Sequence, residues 1–394
     1  MLFCGRVITY SQFALCNQQQ EVYMFTAVLF VITVFLAYSN GSNDNFKGVS
    51  TLFGSGALSY RSALTLSTIA TVLGSVCSVL LAHTLIQNFS GKGLVPNAVA
   101  GTLLFHIAIV SAVGVTVMLA TLMGFPISTT HAITGALVGA GLVAVGTSIN
   151  FSQLGQSFLL PLLTSPLIAI VLGMMGCNLF RFLNYTAKAA HKGWCVCIHG
   201  NEMISSDCSG QSLSRINSAR IALGKTVVCE EVDLQKVIIV DKRSLLNFLH
   251  CLSGGAVCFA RAMNDTPKIV ALMFVTVPFV TSSSVIIIAC GMAIGGIFNS
   301  RKVAMTMSKR ITSMTETEGL AANLVTSVLV IFSSNLGLPV STTHVSVGSM
   351  VGVGLTSKKL HYGVFGQILL SWILTLPIAA SLGAMIYWTL NTYR

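Results

Sequence analysis

The sequence predicts an all-α, polytopic helical membrane protein built from two related halves. Three observations carry that prediction. Apolar residues make up 54% of the 394 residues and charged residues only 8%, against roughly 25% charged in a soluble domain. The apolar residues gather in long blocks, at 22–39, 62–86, 94–123, 154–180, 244–260, 269–299, 320–336 and 363–390. Each block is close to or above the roughly 20 residues that a helix needs to cross a bilayer. Finally, two polar motifs recur in the same order in each half. The blocks lack the period-2 alternation that a membrane barrel would show.

Residues 1–21 read as a polar, ragged N-terminal extension. Their apolar run, Val7 to Leu15, is interrupted by Thr, Tyr, Ser and Gln, a poor match to a cleaved signal peptide. Met24, just ahead of the first span proper, is an alternative start. Residues 22–180 form the first transmembrane repeat, 181–243 a polar linker or small soluble insert, and 244–394 the second repeat. Within the insert, "KVIIVDK" reads as a short strand.

The formal net charge of +11 sits at block edges: Arg181, Lys188 and Lys192; Lys242 and Arg243; Arg301, Lys302, Lys309 and Arg310; Lys358 and Lys359. That is the pattern of cytoplasmic loops under the positive-inside rule, so 181–243 and 300–318 are placed in the cytoplasm. Without interleaved aromatics it makes no nucleic-acid surface. Of the eleven cysteines, Cys77, Cys177, Cys258 and Cys290 lie in apolar blocks as small hydrophobes. The insert holds Cys195, Cys197, Cys208 and Cys229 with His199. These are residue types that zinc takes, but not at a standard spacing. They read as reduced cytosolic thiols, and no metal or cofactor is expected.

The recurring motifs are polar residues in the most apolar surroundings. "PISTTH" (Pro126–His131) returns as "PVSTTH" (Pro339–His344), and "SNDNFKGV" (Ser42–Val49) returns as "MNDTPKIV" (Met263–Val270). Both members of the second pair read Asn-Asp-x-x-Lys. Each half therefore carries that motif, two further apolar blocks, and then the hydroxyl segment. Duplicated halves around a central site are a signature of transporters.

Asp44 and Asp265 each lie five residues past the end of an apolar block, 22–39 and 244–260, away from the charged loops. An ionisable group in the bilayer interior costs at least a few kcal/mol and usually faces a functional cavity. Lys47 and Lys268 follow one helical turn later, where each can meet its Asp; Arg261 adds a further cation. Gly41, Gly48, Gly54 and Gly56 around the first motif, and Gly254, Gly255 and Pro267 around the second, predict broken helices lining a cavity. Pro126 and Pro339 suit the first turn of a helix after the "GFP" and "GLP" breaks. The hydroxyls of Ser128, Thr129, Thr130 and of Ser341, Thr342, Thr343 would then lie beside free N–H groups, a ready oxyanion site. "GALVGAGL" and "GSMVGVGL" follow, with small residues for close helix approach. His131 and His344 are either structural caps or proton carriers.

With these residues in hand the chain resembles the PiT family of inorganic phosphate transporters. The resemblance rests on Gly41–Asp44, on Met263–Asp265, on the two Pro-x-Ser-Thr-Thr-His segments and on "KRITSMTETEGLAA" (Lys309–Ala322). It implies an inverted-repeat secondary transporter, with no enzymatic activity, that imports phosphate with protons or sodium. It would sit in the bilayer as a multi-pass protein of the plasma (inner) membrane, with a homodimer as the assembly to test. Carried over, Asn43, Asp44, Asn264 and Asp265 would be cation and substrate ligands, the two carboxylates coupling the cation. The six hydroxyl residues would hold the anion.

One departure stands out. The family commonly has a second Asn three places after the Asp, whereas here both copies have Lys47 and Lys268. A tethered ammonium in place of a neutral ligand favours protons over sodium and adds two substrate-facing cations. Sulfate stays open as an alternative tetrahedral oxyanion. Phosphate can donate a proton to a carboxylate and sulfate cannot, which favours phosphate. An intramembrane hydrolase and a channel are the rival classes. A hydrolase needs one nucleophile with one base, and two equivalent copies suit translocation better.

Overall fold

The computed structural model describes residues 10–81, 89, 91, 93–190, 194–203, 216–225, 238–240, 242–273 and 282–393. The first half contains α1 (Tyr10–Asp44), the short α2 (Ser50–Ser55), α3 (Tyr60–Leu81), α4 (Leu103–Met123), α5 (Thr129–Val145) and α6 (Leu160–Ala190). The second contains α7 (Lys242–Ala271), α8 (Ser282–Asn299), α9 (Glu316–Asn335), α10 (Thr342–Ser357) and α11 (Tyr362–Thr392). Among the described residues, seven helices are long and apolar enough to cross a membrane. An eighth candidate bends by 66° between Ser283–Asn299 and Arg301–Arg310. The chain is a multi-pass integral membrane protein, all-helical in its membrane part.

Two predicted blocks are interrupted. Block 94–123 contains a separate short turn, Asn97–Ala100, before α4 begins at Leu103. Block 269–299 spans the end of α7 at Ala271 and the start of α8 at Ser282. Between the halves lie three strands, β1 (Trp194–Met203), β2 (Ile216–Lys225) and β3 (Ile238–Val240), in the order β2-β1-β3. Both pairings are antiparallel, with Trp194 opposite Lys225 and Val196 opposite Val240. The strand read in "KVIIVDK" is present as β3, and the sheet adds a small β element to the all-α prediction. Cys208 and Cys229 lie outside the described residues.

The packing is reciprocal. α1 rests on α8 and α4, while α7 rests on α3 and α9; α5 packs on α11, while α10 packs on α6. Each hydroxyl-segment helix thus leans on the last helix of the other half. Gly139 and Gly352 occupy equivalent places in these contacts. A Cβ on Gly139 would strike the Ala380 carbonyl, and one on Gly352 the Ile170 carbonyl. The expected role of the small residues, close approach of two helices, is seen at both. α4 and α5 are buried over most of their length, whereas α6 and α11 expose Leu163, Leu167, Met175, Ile373 and Met385. The outer helices supply the apolar belt, and the polar motifs lie inside it.

Candidate functional site

The two hydroxyl segments are made in the same way. α4 ends at Gly124, in the left-handed region at φ 81°, and the Phe125 N–H donates to Ala120 O at 2.9 Å. After α9, Gly337 has φ 67° and the Leu338 N–H donates to Ser333 O at 2.9 Å. Such a C-terminal cap turns the chain out of the helix, and the following proline cannot resume it. The chain then runs extended to Ser128 (φ −96°, ψ 116°) and Ser341 (φ −91°, ψ 112°), the N-caps of α5 and α10. Each serine Oγ accepts from a first-turn N–H, of His131 and His344 respectively, at 3.1 Å. Pro126 and Pro339 therefore precede the N-cap, and the expected first-turn proline is corrected. The serine, not the proline, opens each helix.

The Asn-Asp-x-x-Lys motifs differ from expectation in one half. α1 ends at Asp44 and a turn carries Asn45 to Val49, so the first motif sits at a true break. α7 continues through Gly254, Gly255, Asp265 and Pro267 to Ala271, so the second motif lies on an unbroken helix. The glycine serves packing instead. A Cβ on Gly254 would come within 2.6 Å of Leu52 Cδ1.

Both motifs close on the hydroxyl segments. Asn43 donates to Thr121 Oγ1 (2.9 Å) and Phe125 O (3.0 Å), and its Oδ1 accepts from the Ile127 N–H (3.2 Å). Asn264 donates to Val340 O (3.2 Å) and Asp265 Oδ1 (3.3 Å), and accepts from Ser334 Oγ (3.2 Å). Lys47 Nζ pairs with Asp44 and also donates to Asn43 Oδ1 (2.9 Å), Ile127 O (2.8 Å) and Thr343 Oγ1 (2.5 Å). Lys268 Nζ lies 3.5 Å from Asp265 Oδ1 and donates to Thr130 Oγ1 (2.9 Å) and Val340 O (3.0 Å). Each lysine thus reaches the threonine of the opposite half. Thr343 donates to Ile127 O at 2.8 Å, and Thr130 to Val340 O at 3.4 Å. Thr129 donates to Asp44 Oδ2 at 3.3 Å, and its counterpart Thr342 is buried at the same helix start.

Two residues four places before the aspartates complete the centre. Asn40 Nδ2 faces Thr129 Oγ1 (2.9 Å), Asp44 Oδ2 (3.2 Å) and Asp265 Oδ2 (3.5 Å). Arg261 donates from Nη1 to Asn40 Oδ1 (3.2 Å) and from Nη2 to Thr71 Oγ1 (2.7 Å), and lies 3.9 Å from Asp265 Oδ2. Sequence reading noted Arg261 only as an extra cation and missed Asn40. Their shared offset of one helical turn from the acids was the available signal. All of these side chains are at least nine-tenths buried. With every group ionised, two carboxylates face three cations, leaving one net positive charge in the buried interior.

His131 and His344 come together, with ring centroids 4.4 Å apart, and His344 stacks on Trp372 at 3.8 Å. The Trp372 indole N–H donates to Pro126 O at 3.1 Å. Among the described residues, His131 Nδ1 and His344 Nε2 have no hydrogen-bond partner. A cavity of about 610 Å³ is lined by Gly124, Asn299, Arg301, Lys302, Arg310 and Thr121, the last a hydrogen-bond partner of Asn43. It sits beside the basic segment that the charge pattern places in the cytoplasm.

Fold and site together define a helical membrane protein with a buried polar centre of acids, lysines, an arginine and hydroxyls shared by two halves. The profile described as "Phosphate transporter family" matches residues 40–383, and the chain belongs to that family. It is similar to a putative phosphate permease of Haemophilus influenzae, 25% identical, with 92% of this chain and 96% of that protein covered. A probable low-affinity inorganic phosphate transporter of Mycobacterium leprae is 26% identical, with 94% and 80% covered. Among solved structures, "The sodium-dependent phosphate transporter" aligns with a TM-score of 0.71 at 21% identity, covering 94% of this chain and all of that one. This last likeness supports the fold.

Proposed function

We propose that the protein is a secondary transporter that imports inorganic phosphate through the plasma (inner) membrane, coupled to protons or sodium. The observation that supports this most is the crossing of the halves at one point. Lys47 meets Thr343 and Lys268 meets Thr130, which gathers two ammonium groups, a guanidinium and paired helix N-termini around one buried centre. Such a centre suits a small oxyanion, because fixed positive charge and hydroxyl donors replace its lost water. The relatives' names point to phosphate among oxyanions. The substrate ligands proposed are Thr129, Thr130, Thr342, Thr343, Asn43, Asn264, Lys47 and Lys268, with Ser128 and Ser341 organising the helix starts. Asp44 and Asp265 would couple the cation, and His131 and His344 could carry a proton.

Sulfate is the second reading. Free carboxylates would argue against it, but here Asp44 is held by Lys47, Thr129 and Asn40, and Asp265 by Lys268. The choice of phosphate therefore leans on the family. A hydrolase reading fares worse, since both serine oxygens are engaged as helix caps. The deciding experiment is uptake of radiolabelled phosphate by purified protein in liposomes, with unlabelled sulfate as competitor. Saturable uptake, blocked by excess phosphate and not by equal sulfate, is expected. No uptake by well-folded protein would refute the transport reading, and equal competition by sulfate would refute the choice of anion.

A further inference from the structure

The oxygens around the Lys47 ammonium group resemble the ligand set of a bound metal cation, and those around Lys268 are of similar type. Lys47 Nζ is held by a carboxylate oxygen (Asp44), an amide oxygen (Asn43, 2.9 Å), a backbone carbonyl (Ile127, 2.8 Å) and a hydroxyl (Thr343, 2.5 Å). An ammonium has three protons to donate, so four oxygens exceed what it needs. A surplus of hard oxygens converging on one point is the ligand set of an alkali or alkaline-earth ion. Lys268 Nζ has three oxygens of the same acid, carbonyl and hydroxyl types, from Asp265 (3.5 Å), Val340 (3.0 Å) and Thr130 (2.9 Å), without the amide oxygen and without the surplus. In both, the acid and the carbonyl come from one half and the threonine from the other. Each cage therefore closes only when the halves meet. Both ammonium groups are shut away from solvent.

We infer that Lys47 and Lys268 act as permanently tethered cations in two alkali-cation positions, so that the anion binds without a co-bound sodium ion. The inference rests on the phosphate reading above and narrows its coupling ion. An ion in either cage would lie within about 3 Å of a fixed positive charge. In a buried, low-dielectric site that repulsion is large and unscreened. The cages cannot hold lysine and a metal ion together. With both lysines in place, the two carboxylates are already neutralised and Arg261 supplies the remaining charge that an anion would meet.

The test has two arms on the full-length protein. In the first, the purified protein is melted in choline chloride and in sodium chloride at equal ionic strength, without phosphate. The wild-type melting temperature should be the same in both, while the Lys47→Asn, Lys268→Asn double variant should be raised by sodium. In the second, binding of inorganic phosphate is titrated under the same salts. Wild-type affinity should agree within twofold, and that of the double variant should tighten at least tenfold with sodium. A sodium-specific rise in the wild-type melting temperature, or tenfold tighter phosphate binding in sodium by the wild type, would overturn the inference. Both results come from the wild type alone, so a double variant that fails to fold leaves the decision intact. Failure of the phosphate reading looks different: no phosphate binding in either salt, with the melting comparison still deciding whether lysine fills the cages.

Discussion

Arg261 gives the sharpest test of the charge balance. It is buried to 1% exposure, its two terminal nitrogens hold Asn40 (3.2 Å) and Thr71 (2.7 Å), and it lies 3.9 Å from Asp265. Arg261→Met keeps much of the volume and removes the charge, taking the centre from one net positive charge to none. From Arg261 the path runs through Asn40 to Thr129 Oγ1 by contacts of 3.2 and 2.9 Å. An anion held at Thr129 would sit on the order of 8 Å from the guanidinium, by adding ordinary hydrogen-bond lengths. Coulomb attraction over that distance at an effective dielectric constant of about 20 is roughly 2 kcal/mol, equivalent to about thirtyfold in affinity. Arg261→Lys keeps the charge and loses the fork that serves Asn40 and Thr71 together. Calorimetric titration of phosphate into the detergent-purified protein, with a melting curve for each variant, measures both. Phosphate affinity should fall about thirtyfold in Arg261→Met and only a few-fold in Arg261→Lys. A folded Arg261→Met that binds like wild type would refute the charge reasoning. Equal losses in both variants would assign Arg261 to positioning instead.

Three further outcomes follow from the same geometry. Asp44→Asn and Asp265→Asn should each abolish coupled uptake in liposomes, because each leaves a buried lysine without its counter-charge, a change that costs about 3–5 kcal/mol where a buried pair is broken; normal uptake by either variant would contradict the role. Ser128→Ala and Ser341→Ala should each destabilise by about 1 kcal/mol through loss of the N-cap, read as a lower melting temperature, and should weaken phosphate binding by loosening the first turn that carries the threonines. Gly139→Leu should be far more damaging than Gly155→Leu, since a Cβ at Gly139 meets the Ala380 backbone whereas at Gly155 it meets open space; equal yields of folded protein would contradict the close-packing account.

Much of this was legible in the sequence, and the physical reason is locality. Lys47 finds Asp44, and Lys268 finds Asp265, because residues three apart on a helix share a face. The hydroxyl segments were visible because a Gly-x-Pro break followed by Ser-Thr-Thr leaves the backbone few alternatives. The lysine-to-threonine crossings were not legible, since spacing within one motif says nothing about its partner in the other half. Asn40 and Arg261 were hidden by their unlike chemistry: an amide and a guanidinium at equivalent positions do not read as a repeat. Gly254 and Gly255 misled because a glycine that permits contact with Leu52 looks, in sequence, like a glycine that breaks a helix. Hydropathy also merged the turn at Asn97–Ala100 with α4, because an average over an apolar block passes over a turn of four residues.

The crossings bear on how the halves could move. If the protein carries an anion by shifting one half against the other, the contacts between halves must loosen in each cycle. Two charged contacts among them are Lys47 to Thr343 and Lys268 to Thr130. A hydrogen bond to a charged group contributes about 1.5–3 kcal/mol, so opening both without compensation would cost roughly 3–6 kcal/mol. An oxyanion arriving between them offers several acceptor oxygens to the same ammonium and hydroxyl groups. Substrate would then replace the contacts that hold the empty halves together. The coupling energy between Lys47 and Thr343, from a double-mutant cycle with Lys47→Met and Thr343→Val, should accordingly be about 1.5–3 kcal/mol in melting measurements without phosphate. It should shrink by at least half at saturating phosphate. A coupling energy unchanged by phosphate would mean that this contact is scaffolding, and that the halves part, if they do, along some other surface.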